Sequence, residues 1–372
     1  MANIIAVWSP YKIPGGGKRI QEQFQGILRL ALPGSTIEEL SLPSDPNCPR
    51  GIGECIVYLA DQRRRITEAS VVIIQGFLHP GSSAIAYLAR RYSVPYIVIP
   101  RGDFVPSFSR LRVTRNPCRK WLMWLIAARR NIRNAFSLVV SSELELSRLR
   151  LIGARVDHAR VIPDAFKAAV DGPCECSNDR EPSRPLALYL GRIASEKNLE
   201  FLVRLWTRVC ARIPKALLVL AGPEHHKEVS RRLKASVKRL NLQQSVEFIP
   251  WLGGADKKRY LTAARCLLLP SFNESFGQTV LEAISVGTPV VVSNNTPWFD
   301  IPSEAGYCLS LKQELWVDHL CDYLKENTAR RVPPVIAHAI LSNYSESLCI
   351  GLWAEVLGKI LRSSTTVAKS QL

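Results

Sequence analysis

The chain of 372 residues contains no run of about 18 uncharged apolar residues, the length a membrane-crossing helix needs, which argues against a helical span. Spacings that ligate metals are missing as well. The ten cysteines are scattered, and the one close pair, Cys174 and Cys176, has no second pair or histidine cluster beside it. Structural zinc is therefore not expected, and reduced, mostly buried thiols are the better reading. A Walker A loop is absent too. In the stretch that ends Pro14-Gly15-Gly16-Gly17, Lys12 stands where the first glycine belongs, and Arg19 where Ser or Thr should follow the lysine. The amino terminus runs straight into apolar Ile4–Trp8 with no basic region before it, so a cytoplasmic location is expected.

Negative charge is in short supply. Lys and Arg number 49 against 32 Asp and Glu, a net of +17. Residues 1–166 hold 23 basic and 12 acidic residues, a net of +11, and the remainder 26 and 20, a net of +6. The excess concentrates between Arg110 and Asn134, with eight basic residues and no acidic one. If Arg119–Arg133 is helical, Trp121, Trp124, Leu125, Ala128 and Ile132 share one side, away from Arg119, Lys120, Arg130 and Arg133. An anionic membrane attracts such a helix at roughly 1 kcal/mol per basic residue near the surface. Arg119, Lys120, Trp121, Trp124, Arg129, Arg130 and Arg133 are thus a candidate membrane or acceptor face. An ordinary helix that buries its tryptophans on a sheet gives the same pattern. No nucleic-acid motif accompanies the charge, and nucleic acid is not expected as a partner.

What is present is an alternation of short apolar runs and amphipathic stretches. Short runs stand at Ile4–Trp8, Val71–Ile74, Tyr96–Ile99, Leu138–Ser141, Leu186–Leu190, Leu217–Ala221, Val246–Ile249, Cys266–Leu269, Val290–Val292 and Gly306–Leu309, and Val71–Ile74 and Tyr96–Ile99 among them are apolar without alternation, as strands buried on both faces are. Helical spacing marks Ile20–Ala31, Leu199–Val209 and a last helix from about Ser345, with Leu348, Leu352, Trp353, Val356 and Ile360 toward a core. Lys167–Pro185 lacks apolar periodicity and reads as a linker.

The densest chemistry lies in Pro270–Ser293. A strand leads into a polar loop with Glu274, Phe276 and Gly277, then a helix carrying Glu282, then a Gly287-Thr288-Pro289 stop and another strand. Gly277, Gln278 and Thr279 open that helix, where backbone N–H groups without partners in a preceding turn and the positive dipole end favour an anion. A ligand with an anionic centre flanked by hydroxyls satisfies the loop, and a nucleotide diphosphate sugar is one. Upstream, Arg192 and Lys197 follow a strand end within six residues, placed to neutralise a diphosphate. Gly16 and Gly17, between the first strand and first helix, suit close backbone approach to a phosphate or serve as a flexible turn. Trp251, after the Val246–Ile249 strand, is equally a base-stacking residue or core.

Glu274, seven residues, Glu282, with Phe276 and Gly277 inside and Gly-Thr-Pro after, resembles the E-x7-E element of retaining glycosyltransferases of the GT-B fold, family 4 type. The resemblance implies an α/β protein with two Rossmann-like domains, their parallel sheets facing across a cleft: an acceptor-side domain over 1–166, a linker over 167–185, a nucleotide-sugar domain over 186–344, and a terminal helix, about 345–372, packing back on the first. It implies that Glu274 meets the donor sugar hydroxyls and Glu282 the ribose, and that Phe276, Gly277, Gln278 and Thr279 hold sugar and diphosphate. Arg192 and Lys197, in Gly-Arg and Glu-Lys-Asn pieces like the family's, take the diphosphate. With no Asp-x-Asp pair, no metal or other cofactor is expected.

The first domain departs from the pattern. Where the family usually reads His-Gly, this chain has Arg101-Gly102, a permanent cation whose fork suits phosphate or carboxylate. Arg101 is expected to contact phosphate or acceptor, with a structural salt bridge as the alternative. Ser142-Glu143 and Pro163-Asp164-Ala165 match loosely the family's Ser-x-x-Glu and Pro-Asn-Gly pieces. The implied reaction is metal-independent transfer of a hexosyl group, with retention, to a lipid-linked or glycan acceptor of polysaccharide biosynthesis, by a protein peripheral on the cytoplasmic membrane face. A nucleotide-sugar epimerase, a transferase to a soluble acceptor, and a non-enzymatic basic surface-binding protein on the same scaffold are the alternatives.

Overall fold

Short runs of Val, Ile and Leu with no polar alternation cannot leave a face in water, so they pair side by side under helices. In the computed structural model, which describes residues 2–8, 16–41, 62–76, 80–102, 124–167, 184–225, 227–325 and 330–369, these runs build two all-parallel six-stranded sheets. The chain divides into two compact units, Met1–Ala165 with Glu346–Leu372, and Phe166–Ser345.

The first unit holds β1 (Asn3–Trp8), α1 (Gly16–Ala31), β2 (Thr36–Ser41), β3 (Val71–Gln75), α2 (Pro80–Arg91), β4 (Tyr96–Ile99), α3 (Arg129–Arg133), β5 (Ser137–Val140), α4 (Glu143–Leu151) and β6 (Ala159–Val161). Its strand order is β2-β1-β3-β4-β5-β6. Strands β3, β4 and β5 are buried along their whole length. The edge strands β2 and β6 escape a search for apolar runs, because an edge strand is partly solvated and here reads TIEELS or only three residues.

Trp124 corrects one expectation. A π-helical turn, Trp124–Ala128, precedes α3 and turns Trp124, Ala128 and Ile132 inward, at 1%, 0% and 0% exposure, while Leu125 stays 50% exposed. The indole stabilises the core by about 2–3 kcal/mol and cannot edge a membrane face. Arg129, Arg130 and Arg133 are exposed. Arg119, Lys120 and Trp121 lie outside the described residues.

The second unit holds β7 (Leu186–Leu190), α5 (Leu199–Arg212), β8 (Leu217–Ala221), α6 (Lys227–Arg239), β9 (Val246–Ile249), α7 (Gly254–Ala263), β10 (Cys266–Leu269), α8 (Gln278–Ser285), β11 (Val290–Ser293), β12 (Gly306–Leu309), α9 (Gln313–Leu324) and α10 (Pro334–Ser342). Its order, β12-β11-β10-β7-β8-β9, winds outward from β7 to β9 and then restarts on the other side of β7 with β10. Such a reversal leaves a crevice at the carboxyl ends of the two central strands, because their following loops depart in opposite directions. Here those loops are the ones after β7 and β10.

The last helix, α11 (Glu346–Lys369), returns to the first unit. Cys349, Trp353, Val356, Leu357 and Ile360, at helical spacing, are buried against Phe24, Ile27 and Leu28 of α1, and the Phe24 and Trp353 rings meet edge-on at 5.0 Å. Leu348, expected on that face, is 43% exposed, and Cys349 takes its place. The five cysteines among the described residues are free thiols, and among the described residues no helix is long and apolar enough to cross a membrane.

Candidate active site

Strand β7 delivers Gly191 and Arg192, after which a single 3₁₀ turn, Ser195–Lys197, and a left-handed Asn198 reset the chain direction for α5. Buried Tyr189 donates from its hydroxyl to the Arg192 carbonyl at 2.7 Å and so fixes the loop from below. Gly222, after β8, is forced by packing: its φ is +142° and a Cβ there would lie 2.0 Å from the Gly191 carbonyl oxygen.

The loop after β10 is stitched to this turn by one backbone and one side-chain hydrogen bond. Phe272 N–H donates to the Glu196 carbonyl at 2.8 Å, and the Asn198 amide donates to the Pro270 carbonyl at 3.1 Å. Those bonds carry two side chains into contact across the reversal. Lys197 Nζ lies 2.6 Å from Glu274 Oε2, each side chain 12% exposed, and Ser271 Oγ donates to the same oxygen at 3.1 Å. A pair so withdrawn from water is worth keeping whole, because removing either partner leaves a buried charge at a cost of about 3–5 kcal/mol.

Arg192 is arranged differently. It pairs with Glu196 at 3.2 Å, but its side chain is 47% exposed, so the pair adds little stability and leaves a cation within reach of solvent and solutes. Burial pushes the Glu196 carboxyl up, but Arg192, its own backbone amide and Lys197 outweigh that and hold it below its usual value.

Downstream, Gly277 at φ +88° caps α8, whose first turn holds Gln278 and Thr279. A Cβ on Gly277 would lie 3.1 Å from Trp298 Nε1 and 3.3 Å from Glu274 Cγ, in a backbone conformation that disfavours one. The Phe276 ring is 4% exposed and packs on Trp298 and Tyr344 at 5.9 and 5.3 Å, so the side chain supports the loop from within and only its backbone is left to meet a ligand. Trp298 completes the support by donating to the Phe276 carbonyl at 2.7 Å.

Glu282 projects from α8 to Lys257 of α7, 2.7 Å away, with side chains 11% and 18% exposed. Glu274 and Glu282 therefore each have a lysine of their own. Trp251 is 54% exposed, which removes the core alternative, and its indole lies beside Gly253, the residue that caps α7.

In the first unit, Gly16 and Gly17 are the first two residues of α1, not the end of the preceding loop. Pro14 and Gly15 lie outside the described residues. Arg101 sits after β4 with φ +52° and is bound on two sides. Its guanidinium pairs with Asp164, both side chains 15% exposed, and its Nε donates to Gln75 Oε1 at 3.0 Å. The salt-bridge alternative thus describes Arg101, and its partner is the residue that stands where a Pro-Asn-Gly turn would have its Asn. The two departures from the family pattern answer each other.

Glu145 was not singled out from the sequence, although Ser142-x-x-Glu145 is a capping-box spacing. Ser142 Oγ accepts from Glu145 N–H at 3.2 Å. The Glu145 carboxylate accepts from Gly102 N–H at 2.6 Å and from the Ser141 N–H and hydroxyl at 2.9 and 3.0 Å. Burial raises its affinity for a proton above the usual carboxylate range, against the pull of Ser141, Gly102 and Arg101. The result ties the turn after β4 to the end of β5. Lys257, by contrast, had no local signal, since its partner is 25 residues away in the chain.

Two parallel sheets, the second with its reversal between β7 and β10 and a cation–carboxylate pair across it, define a GT-B protein. Known proteins agree. A family model described as glycosyl transferases group 1 matches residues 177–329, and one described as glycosyl transferase 4-like domain matches 16–165. The two matches lie one in each part of the chain, a glycosyl transferase 4-like domain followed by a glycosyl transferases group 1 domain, on the GT-B fold of the solved neighbours. It is 27% identical over 221 residues to D-inositol 3-phosphate glycosyltransferase of Mycobacterium sp. (strain JLS), covering 57% of this chain and 49% of that one. The chain thus spans about half the length of that relative. Anabaena Alr3699/HepE in complex with UDP and glucose superposes with a TM-score of 0.77 at 15% identity, over 96% of this chain and 100% of that one. Sucrose-phosphate synthase from Thermosynechococcus elongatus does so with 0.77 at 17%, over 99% and 100%.

Proposed function

We propose that the chain transfers a hexosyl group from a nucleotide diphosphate sugar to a hydroxyl acceptor, with retention at the anomeric carbon and without a metal. The observation that carries this reading is the Lys197–Glu274 pair at 2.6 Å across the β7/β10 reversal, where an α/β sheet takes its ligand. HepE, of the same fold, binds UDP and glucose, which supports a nucleotide-sugar donor. Lys197, half-exposed Arg192 and the first-turn amides of α8 neutralise the diphosphate as the glycosidic bond breaks and negative charge collects on it. Glu274 holds the sugar hydroxyls and stabilises the oxocarbenium-like state. The departing phosphate takes the acceptor proton on the same face, which gives retention. Arg101, already paired with Asp164, orders the loop after β4 on the acceptor unit.

The acceptor we favour is a lipid-linked or glycan intermediate of polysaccharide biosynthesis at a cytoplasmic membrane face, supported by exposed Arg129, Arg130, Arg133 and Leu125. The name of the inositol-phosphate relative favours a second reading, a soluble phosphorylated acceptor. Turnover of a UDP-, GDP- or ADP-hexose followed by NMR tests the reaction. The product is expected to keep the donor's anomeric configuration, and Glu274→Gln to cut kcat by about a hundredfold. An inverted product, or full turnover by the variant, overturns the proposal. Acceleration by anionic vesicles carrying a lipid-linked acceptor, reversed by Arg130→Glu, decides for the membrane reading. Equal rates with a soluble sugar phosphate decide for the second.

A further inference from the structure

Tyr344 follows α10 by two residues and stands just before Ser345, where the chain leaves the second unit. The chain enters that unit at Phe166. Entry and exit are joined: Phe166 N–H donates to the Tyr344 carbonyl at 2.7 Å, beside a parallel bridge between Phe166 and Ser345. The backbone of Tyr344 is thus part of the crossing. Its side chain points elsewhere. The ring meets Phe276 edge-on at 5.3 Å and Trp298 at 5.5 Å, and those two rings meet at 5.9 Å.

From the ring cluster the contacts run on to the candidate site. Trp298 donates to the Phe276 carbonyl at 2.7 Å, and the space beside the Gly277 Cα is filled by Trp298 Nε1 and by Glu274 Cγ, 3.1 and 3.3 Å from where a Cβ would stand. Close-packed interiors have few voids to absorb a shift, and aromatic rings hold preferred offset or edge-on geometries. A displacement of the Glu274 loop therefore moves Phe276, Tyr344 and the bond to Phe166 together. From this continuity we propose that Tyr344 is a positioning residue that couples the Glu274 loop to the chain crossing. A nucleotide sugar held by the loop strengthens the Phe166–Tyr344 bond, and weakening the cluster lowers affinity for that donor by the same factor, because coupling between two sites is reciprocal. This rests on the reading of the loop as part of a nucleotide-sugar site.

Hydrogen exchange at the Phe166 amide, read at single-residue resolution in the full chain with saturating UDP-glucose, GDP-mannose or ADP-glucose, tests the coupling. The donor that raises the Tm of wild type is expected to slow this exchange about tenfold, within the usual span of site-to-site coupling. Leu242 N–H, bonded to the Val237 carbonyl just past α6, is the control and is expected to keep its rate. Tyr344→Phe, which keeps the ring, should behave as wild type. Tyr344→Ala should lose the slowing and bind the donor about tenfold more weakly. Tyr344→Leu stands in if the alanine variant does not fold. A donor that raises the Tm yet leaves Phe166 exchange unchanged, or slows Leu242 equally, overturns the inference alone, as does a folded Tyr344→Ala or Tyr344→Leu that keeps the slowing. A wild-type chain whose Tm none of the three donors raises overturns the underlying reading as well.

Discussion

Arg101 and Asp164 show how one replacement requires another. A histidine after β4 needs no counter-ion at neutral pH, whereas an arginine with 15% of its side chain exposed does, and Asp164 supplies it with Gln75 on the other side. Asp164→Asn should therefore destabilise the first unit by about 3 kcal/mol in urea unfolding, because it strands a withdrawn guanidinium. The Arg101→Met, Asp164→Asn double variant should lose less than the single one. A double-variant loss equal to the sum of the Arg101→Met and Asp164→Asn losses would mean the two are not coupled. Each of these residues could be quoted from the sequence as a departure from a pattern, but their contact could not, since it joins positions 63 apart. Phe276 shows the same limit from another side: the sequence places it in the loop, and only its neighbours Trp298 and Tyr344 show that its ring props that loop.

At the level of elements, continuous apolar runs were legible because a strand buried on both faces must be apolar throughout. The edge strands β2 and β6 carry no such obligation and had no comparable signal. Helix α3 closes the basic segment, and its π-helical lead-in turns Trp124 into the core. That region also holds a pH-sensitive joint. The His158 ring, just before β6, donates to the Ile132 carbonyl of α3 at 2.9 Å. Burial lowers its pKa from 6.5, with Arg155 and Arg160 pulling the same way against the Ile132 bond and Asp157. The folded chain thus favours the neutral ring, and the unfolded chain binds the proton first. Stability is full above about pH 6.5 and falls as pH drops from there to the lowered folded value, then levels off. Urea midpoints between pH 5 and 8 should show this decline in wild type and a smaller one in His158→Gln. Identical slopes would contradict it.

At the level of the whole molecule, the second unit was the more legible because its chemistry is local: a strand, a loop with one carboxylate, a helix with another. What the fold added is pairing, Lys197 to Glu274 and Lys257 to Glu282, so that both carboxylates enter the site already held. The first unit was less legible, because Arg101 and Glu145 are held there by partners far away in the chain, Asp164 and Gly102. On the proposed function, the β7/β10 reversal is a nucleotide-sugar cradle closed by Lys197. Thermal unfolding of the full chain with UDP-, GDP- and ADP-hexoses tests it most directly, since a ligand at a hundred times its Kd stabilises the folded state by about 2.7 kcal/mol. One of the three should raise the Tm of the wild-type chain, and Lys197→Met should abolish the rise. No rise with any donor, or a rise untouched by the substitution, would contradict the account.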